Sequence, residues 1–424
     1  MGYEKLFEPI NIGPVEINNR LALAPMNPCL DDSGYISDAT LAYYAERARG
    51  GVGLIITSAT LGGRLASKYR AHYANPMLYD STHLKGHYEL VEMVHSYGVK
   101  VFIQLYPGPG RTGNAPSGVQ CIAPSALPYF RDPQTWPKPY KTVMTRWPSF
   151  LEKAMGNIPR EITIEEILQI EDEFAEAAWL ATVAGYDGIE IHLAHGYLMH
   201  QFLSPRSNKR TDLYGGSLEN RMRFHVELVA KTLNRIRKEI PDYPIGIRMS
   251  TQEHQPDGFT FEEAETLLKR LVEDGISFYD VSTASHENYV TMFPDRDGTM
   301  LKDAARMRKS LGIPVITPGI HKPENAVKAV EDGQTDMIGL ARAALADPDW
   351  ANKVRQDKVN QIRKCARDYL CLINILMGLP VRCSVNPDMG RERWKPGIVG
   401  PDVPKGDKIV ARVLRKNRWD RKND

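Results

Sequence analysis

His192, His195 and Tyr197 place two imidazoles and a phenol directly after an apparent strand, Gly188-Ile189-Glu190-Ile191. Two histidines three apart, with a tyrosine two further on, can hold a developing oxyanion and deliver a proton beside it. Reduction of a polarised C=C bond requires both. Each oxyanion donor of this kind is worth about 3 kcal/mol. A phenol, with a reference pKa of about 10, stays protonated at neutral pH, as a general acid must. One isolated histidine on a strand reads as a hydrogen-bonded core residue. Three such groups at the end of one strand read as a site, and His200, further on, reads as structural.

A second set of reactive side chains is Cys365, Cys371 and Cys383, spaced C-x5-C-x11-C with Asp368 inside the first interval. The chain has five cysteines, an odd number, and three are crowded here. That usage suits a reducing compartment and metal or cluster chemistry better than disulfides, with buried structural cysteines as the alternative.

The elements that must position these groups follow from apolar, β-rich runs at Leu21 to Pro25, Val52 to Ser58, Lys100 to Tyr106, Gly188 to Leu193, Pro244 to Met249, Phe278 to Ser282, Pro314 to Pro318 and Asp336 to Ala341. Most gaps carry helical periodicity, as in Ile164 to Ala184 and Ser217 to Ile240. Alternation of strand and helix through eight repeats is the pattern of an α/β protein with a (β/α)8 TIM barrel, whose ligands meet the carboxyl ends of the strands. A doubly wound sheet is the competitor, and it is disfavoured because no strand is followed by G-x-G-x-x-G; Gly51-Val52-Gly53 and Gly108-Pro109-Gly110 lack the rest.

Residues 1–363 are assigned to the barrel and 364–424 to a C-terminal extension. Within the barrel, residues 129–157 form a proline-rich excursion carrying Trp136, Tyr140, Trp147 and Phe150 beside Arg131, Lys138, Lys141 and Arg146. As a cap over the catalytic face it implies a bulky, partly apolar and anionic substrate; as a surface loop it is stabilised by its own aromatics. The basic end, Arg412 to Lys422, reads as solvated surface. With 424 residues, 42% of them hydrophobic, the chain has ample core. Its 54 basic and 52 acidic residues give no field for nucleic acid. No basic-then-apolar leader opens the chain and no run reaches about 18 apolar residues, so no membrane contact and a cytoplasmic location are expected, with a small-molecule substrate and a homo-oligomer.

The run His192-Leu193-Ala194-His195-Gly196-Tyr197-Leu198-Met199-His200-Gln201-Phe202-Leu203-Ser204-Pro205, followed by Asn208-Lys209-Arg210-Thr211-Asp212-Leu213-Tyr214-Gly215-Gly216-Ser217-Leu218-Glu219-Asn220-Arg221, resembles the Old Yellow Enzyme family of FMN-dependent ene-reductases. The resemblance extends over roughly residues 3 to 350 and into the tail. It implies FMN laid along the strand ends. Pro25, Met26 and Asn27 would lie against the flavin, with Asn27 in the position that often holds Thr or Cys. Ala59 would offer a backbone contact, and Gln104 would bond the pyrimidine edge. The family's Q-L-x-H-x-G-R becomes Gln104-Leu105-Tyr106-Pro107-Gly108-Pro109-Gly110-Arg111 here, one residue longer and without its histidine. Arg248 would face flavin N1 and C2=O, where a fixed positive charge stabilises the reduced ring. Gly319, Ala341 and Arg342 would cradle the phosphate. The same resemblance implies that His192 and His195 bind the substrate carbonyl oxygen, that Tyr197 gives the proton, and that NAD(P)H is the reductant.

The cysteine segment resembles the cluster segment of two-domain relatives: 2,4-dienoyl-CoA reductases, trimethylamine dehydrogenase and bile-acid enoate reductases. Those carry four cysteines for a [4Fe–4S] cluster. The implied ligands are Cys365, Cys371 and Cys383, with Asp368 where a further cysteine would stand. The relatives continue into an FAD and NAD(P)H domain, whereas this chain ends about 40 residues after Cys383. A cluster would therefore exchange electrons with a partner protein; without one, hydride would come directly from NAD(P)H. Two rival readings share the barrel: an FMN-dependent amine dehydrogenase or demethylase, and a non-catalytic electron-transfer flavoprotein subunit. The histidine pair favours the reductase, because an oxyanion must be bound.

Overall fold

The computed structural model describes residues 2–69, 75–113, 119–129, 133–138, 141–142 and 158–395. Eight parallel strands run in chain order as Leu21–Leu23, Leu54–Ile56, Lys100–Tyr106, Gly188–His192, Ile245–Ser250, Phe278–Ser282, Val315–Pro318 and Met337–Leu340. They are called strands one to eight below. Each pairs with its chain neighbours, and strand eight pairs with strand one through Gly339 opposite Ala22, so the sheet closes into a barrel. Six of the eight apolar runs differ in their bounds from the strand they predict, most of all Val52 to Ser58, of which only Leu54–Ile56 is paired in the barrel. After strand two, Thr60–Leu61 adds a short pairing to the end of strand three.

The barrel interior is layered because side chains alternate inward and outward along each strand. Its floor is apolar: Ala22, Leu54, Ile56, Phe102, Phe278, Ile316 and Met337 pack on Ile12 and Ile17 from an N-terminal hairpin, Ile10–Ile12 with Val15–Ile17. The Phe102 and Phe278 rings lie 5.4 Å apart. Two glycines make room for them. A Cβ on Gly188 would fall 2.8 Å from the Phe102 ring, and one on Gly246 would fall 2.3 Å from that of Phe278. Two residues further along the same four strands stand Gln104, Glu190, Arg248 and Asp280, all buried. The layer between floor and mouth is therefore polar and charged.

Outside, Ile164–Val183 is started by a capping box of Thr163 and Glu166, and Leu218–Arg237 by the Ser217 side chain. Both helices end short of the apolar periodicity, at Val183 and Arg237; Ala184 caps the first and stays in the core, while Ile240 beyond the second is exposed. Full burial of Phe224 and Leu228 on the second contributes about 1.5–3 kcal/mol each.

The start of the extension is folded onto the barrel. Val381 and Met389 belong to the main core, Asn386 Nδ2 donates to the Leu345 carbonyl at 2.8 Å, and Arg47 forms a 2.8 Å ion pair with Glu392. The base of the excursion is tied by a parallel pairing of Ile122–Ala123 with Arg160–Glu161. Of its side chains, Trp136 packs with Tyr289, Tyr369, Leu372 and Ile373, while Lys138 and Lys141 are exposed. Arg131, Tyr140, Arg146, Trp147 and Phe150, and the basic end from Arg412 to Lys422, lie outside the described residues. Among the described residues, no helix is long and apolar enough to cross a membrane.

Candidate active site

Strand four ends at His192, and the chain then turns sharply: His195 takes a left-handed backbone, φ 68°, and Gly196 follows at 84°. A left-handed histidine is uncommon and costs about 1–3 kcal/mol unless its surroundings hold it. Here the His195 carbonyl accepts from His286 N at 3.2 Å, and Gln201 Nε2 donates to the carbonyls of Gly196 (2.7 Å) and Pro109 (3.1 Å). Tyr197 is thereby placed at the start of the short helix Leu198–Leu203.

One cavity at the carboxyl end of the barrel is lined by Pro25, Met26, Asn27, Ala59, Gln104, His192, His195, Tyr197, Arg248, Gly319, Ala341 and Arg342. Residues from seven strand ends and the turns after them thus meet in one space. Arg111 does not line it; its guanidinium is 3.1 Å from Glu287, which also binds Arg206 at 2.9 Å.

The histidines form an ordered chain. Ser282 Oγ lies 2.6 Å from His195 Nε2, and His195 Nδ1 lies 3.3 Å from His192 Nε2. His192 Nδ1 is buried without a partner among the described residues. Burial is the largest cause holding both imidazoles well below their ordinary pKa, followed by the Arg248 charge for His192 and by His192 for His195. Both are neutral at physiological pH. With Ser282 donating to His195 Nε2 and His195 Nδ1–H donating to His192 Nε2, His192 Nδ1–H is left to donate to a ligand. Both ring nitrogens of His195 thus lie within hydrogen-bonding distance of protein groups, whereas His192 has one nitrogen so placed.

The Tyr197 ring meets His192 edge-on at 5.3 Å and His286 at 5.0 Å. His286, Tyr289, Met292 and Phe293 follow strand six and line the same cavity, as do His321 and, from the extension, Leu372, Ile375 and Leu376. Sequence reading missed these. His286 carried a usable signal, since it follows strand six as His195 follows strand four. The residues from the extension carried none.

Buried polar atoms without protein partners mark where a ligand fits. Arg248 Nε and Arg342 Nη1 are of this kind, and Arg248 Nη1 pairs with Asp280 at 3.2 Å. Asn27 Oδ1 accepts from Cys29 N at 2.7 Å, which orients its amide at the cavity wall. Guanidinium groups from strands five and eight, a planar amide at Gln104 and the apolar wall of Pro25, Met26 and Ala59 suit a flat, anionic, heteroaromatic phosphate such as FMN.

Cys365, Asp368, Cys371 and Cys383 line a second, smaller cavity with Arg342, Arg367 and Arg382. Cys371, Arg342, Leu345 and Tyr369 border both cavities. Burial, with the neighbouring Cys365 next, pushes the Cys371 thiol up to about 12, and burial also raises that of Cys383. Among the described residues, no group of three or more His, Cys, Asp or Glu side chains is arranged to hold a single metal ion.

Residues 5–361 match the NADH:flavin oxidoreductase / NADH oxidase family. The chain is 38% identical over 404 residues to an NADH oxidase of Thermoanaerobacter brockii, covering 92% of this chain and 57% of that protein. It is 34% identical over 421 residues to a cinnamate reductase of Clostridium sporogenes, covering 92% and 59%. The solved structure of a 2-naphthoyl-CoA reductase complex superimposes with a TM-score of 0.82 at 27% identity, over 93% of this chain and 58% of that one. The chain thus spans somewhat more than half the length of these relatives. By the extent of that match and by the closed parallel barrel that carries it, the chain belongs to the NADH:flavin oxidoreductase / NADH oxidase family, the family of the old yellow enzymes.

Proposed function

We propose that this chain is the FMN-binding, substrate-reducing unit of an ene-reductase acting on α,β-unsaturated carbonyl compounds: enoates, enones or enoyl thioesters. The observation that carries the reading is the unpartnered Nδ1 of the neutral His192, buried in the same cavity as Tyr197 and Arg248. Family membership supports FMN as the cofactor and a nicotinamide reductant.

Pro25, Met26, Asn27, Ala59, Gln104 and Arg248 would hold the flavin ring, and Gly319, Ala341 and Arg342 its phosphate. FMN, when bound, supplies the hydride that reaches the β-carbon of the alkene. His192 donates to the carbonyl oxygen as negative charge grows on it, with Ser282 and His195 holding the ring in the donating tautomer. Tyr197 delivers the proton to the α-carbon, with His286 against its ring. Tyr289, Phe293, Leu372 and Leu376 give the cavity an apolar wall, which suits a bulky or aromatic acyl group; the relatives named for cinnamate and 2-naphthoyl-CoA support that class. Cys365, Cys371 and Cys383 with Asp368 would hold a [4Fe–4S] cluster, whose ligands spread wider than those of one ion and which would supply one-electron transfer beside the cofactor cavity.

The test is anaerobic. The FMN-loaded protein is bleached with NADPH, NADH or dithionite and then mixed with 2-cyclohexenone or cinnamate. Return of oxidised flavin absorbance with stoichiometric saturated product is expected. Bleaching by amines, with no reoxidation by either alkene, would overturn the reading.

A further inference from the structure

The charged layer between the apolar floor and the cavity does work that the proposed mechanism leaves unused. Gln104 Nε2 donates to Glu190 Oε1 at 2.6 Å, across the register that sets Gln104 opposite Glu190. On the next strands, Arg248 stands opposite both His192 and Asp280 and pairs with Asp280 at 3.2 Å. Glu190 and Asp280 are wholly buried and within hydrogen-bonding reach of each other.

Counting donors exposes a deficit. Glu190 Oε2 and Asp280 Oδ1 are buried acceptors with no hydrogen-bond donor among the described residues, and Asp280 Oδ2 has only its ion pair with Arg248. Two ionised carboxylates against one guanidinium would also leave a net negative charge in a dry layer, which is costly. One proton resolves both faults: a carboxylic acid donates to its carboxylate neighbour, and Arg248 with Asp280 becomes a neutral pair. We propose that Glu190 and Asp280 hold a single proton between them, carried by Glu190, and that this acid–carboxylate pair positions Gln104 and Arg248 at the wall of the cofactor cavity. Burial, then the charge of Asp280, raises the Glu190 carboxyl far above its ordinary range, while Arg248 keeps Asp280 the more acidic partner. Besides Gln104 and Arg248, the titratable group on the same inward face is the neutral His192 from strand four; Tyr279, beside Asp280, points outward and donates to the Met249 carbonyl. Glu190 and Asp280 are positioning residues: they act on the ligand only through Arg248 and Gln104.

The test uses the full chain without flavin first, so that it stands apart from the functional reading. Difference infrared spectra at pH 7.5 are expected to show a protonated carboxyl C=O band that shifts in D2O. It should persist in Asp31→Asn and Glu171→Gln and vanish in Glu190→Gln. It should vanish also in Asp280→Asn, where Glu190 must ionise to neutralise Arg248. A band unchanged in Glu190→Gln, or retained in Asp280→Asn, would overturn the shared proton. In the second arm, FMN is titrated into each apo-protein. Glu190→Ala, which strands Gln104 and Asp280, should weaken binding about tenfold, and Glu190→Gln should restore it to within about threefold of the wild type. Equal weakening by Gln and Ala would overturn the positioning role. If no variant, wild type included, binds FMN while the infrared band behaves as expected, the cofactor reading fails and the proton pair stands.

Discussion

His195 Nδ1 lies 3.3 Å from His192 Nε2, so the two imidazoles are linked end to end. His192→Ala should weaken binding of a phenol, whose oxygen imitates an enolate, by about 10–100-fold and abolish any charge-transfer band with flavin. Ser282→Ala, which removes the far end of the chain, should weaken it less. Equal losses from both, in a spectroscopic titration, would make the pair parallel donors.

The pH dependence of that titration has a definite sign. Both imidazoles are held well below their ordinary pKa, chiefly by burial, so neither gains a proton between pH 8 and 6. Phenol affinity should rise with pH as the phenol ionises, without an inflection at about 6.5. Tighter binding on acidification through that value would mean that an imidazolium forms.

Tyr197→Phe removes only the proton donor. The oxidative half-reaction with an enone should slow by about 10²–10⁴-fold, while FMN content and the reductive half-reaction stay near wild type. Stopped-flow measurement of the two halves separates these, and a wild-type rate for the alkene step would end the assignment.

In the cysteine cavity, Asp368 stands with three thiols. After anaerobic reconstitution, iron and sulfide should be retained by the wild type, lost in Cys371→Ser, and held more firmly in Asp368→Cys, because a soft thiolate replaces a carboxylate. Iron-free wild type after reconstitution would leave the three cysteines structural.

Asp31 links stability to pH. Burial, opposed by the Thr40 hydrogen bond, pushes its carboxyl up to about 7, against about 4 in an unfolded chain. Between these values the folded state keeps a proton that the unfolded state has lost. Stability therefore falls as pH rises across that window, by up to about 4 kcal/mol in all. Asp31→Asn removes the slope, so its Tm relative to wild type should be more positive at pH 8 than at pH 5. A constant difference would refute the shift.

Strand-forming runs, helical periods and the His192–Tyr197 spacing are local properties, and they determined the barrel, the order of its strands and the strand end where reactive groups collect. The chain also carries, in Gly188 and Gly246, the room that Phe102 and Phe278 need, although glycine in a strand does not announce which ring it admits. Only the tertiary structure decided which ring nitrogens of His192 and His195 have protein partners, because hydrogen bonding between His192, His195 and Ser282 depends on how strands four and six approach. It alone brought Glu190, Arg248 and Asp280 into one buried layer; read singly in their strands, each is an isolated charged residue among apolar neighbours. The wall supplied by Leu372 and Leu376 packs on Trp136 and Tyr289, and the docking of the extension through Arg47 and Glu392 spans 345 positions. Contacts that distant leave no periodicity in the sequence, since each half satisfies its own local pattern whether or not the other is near.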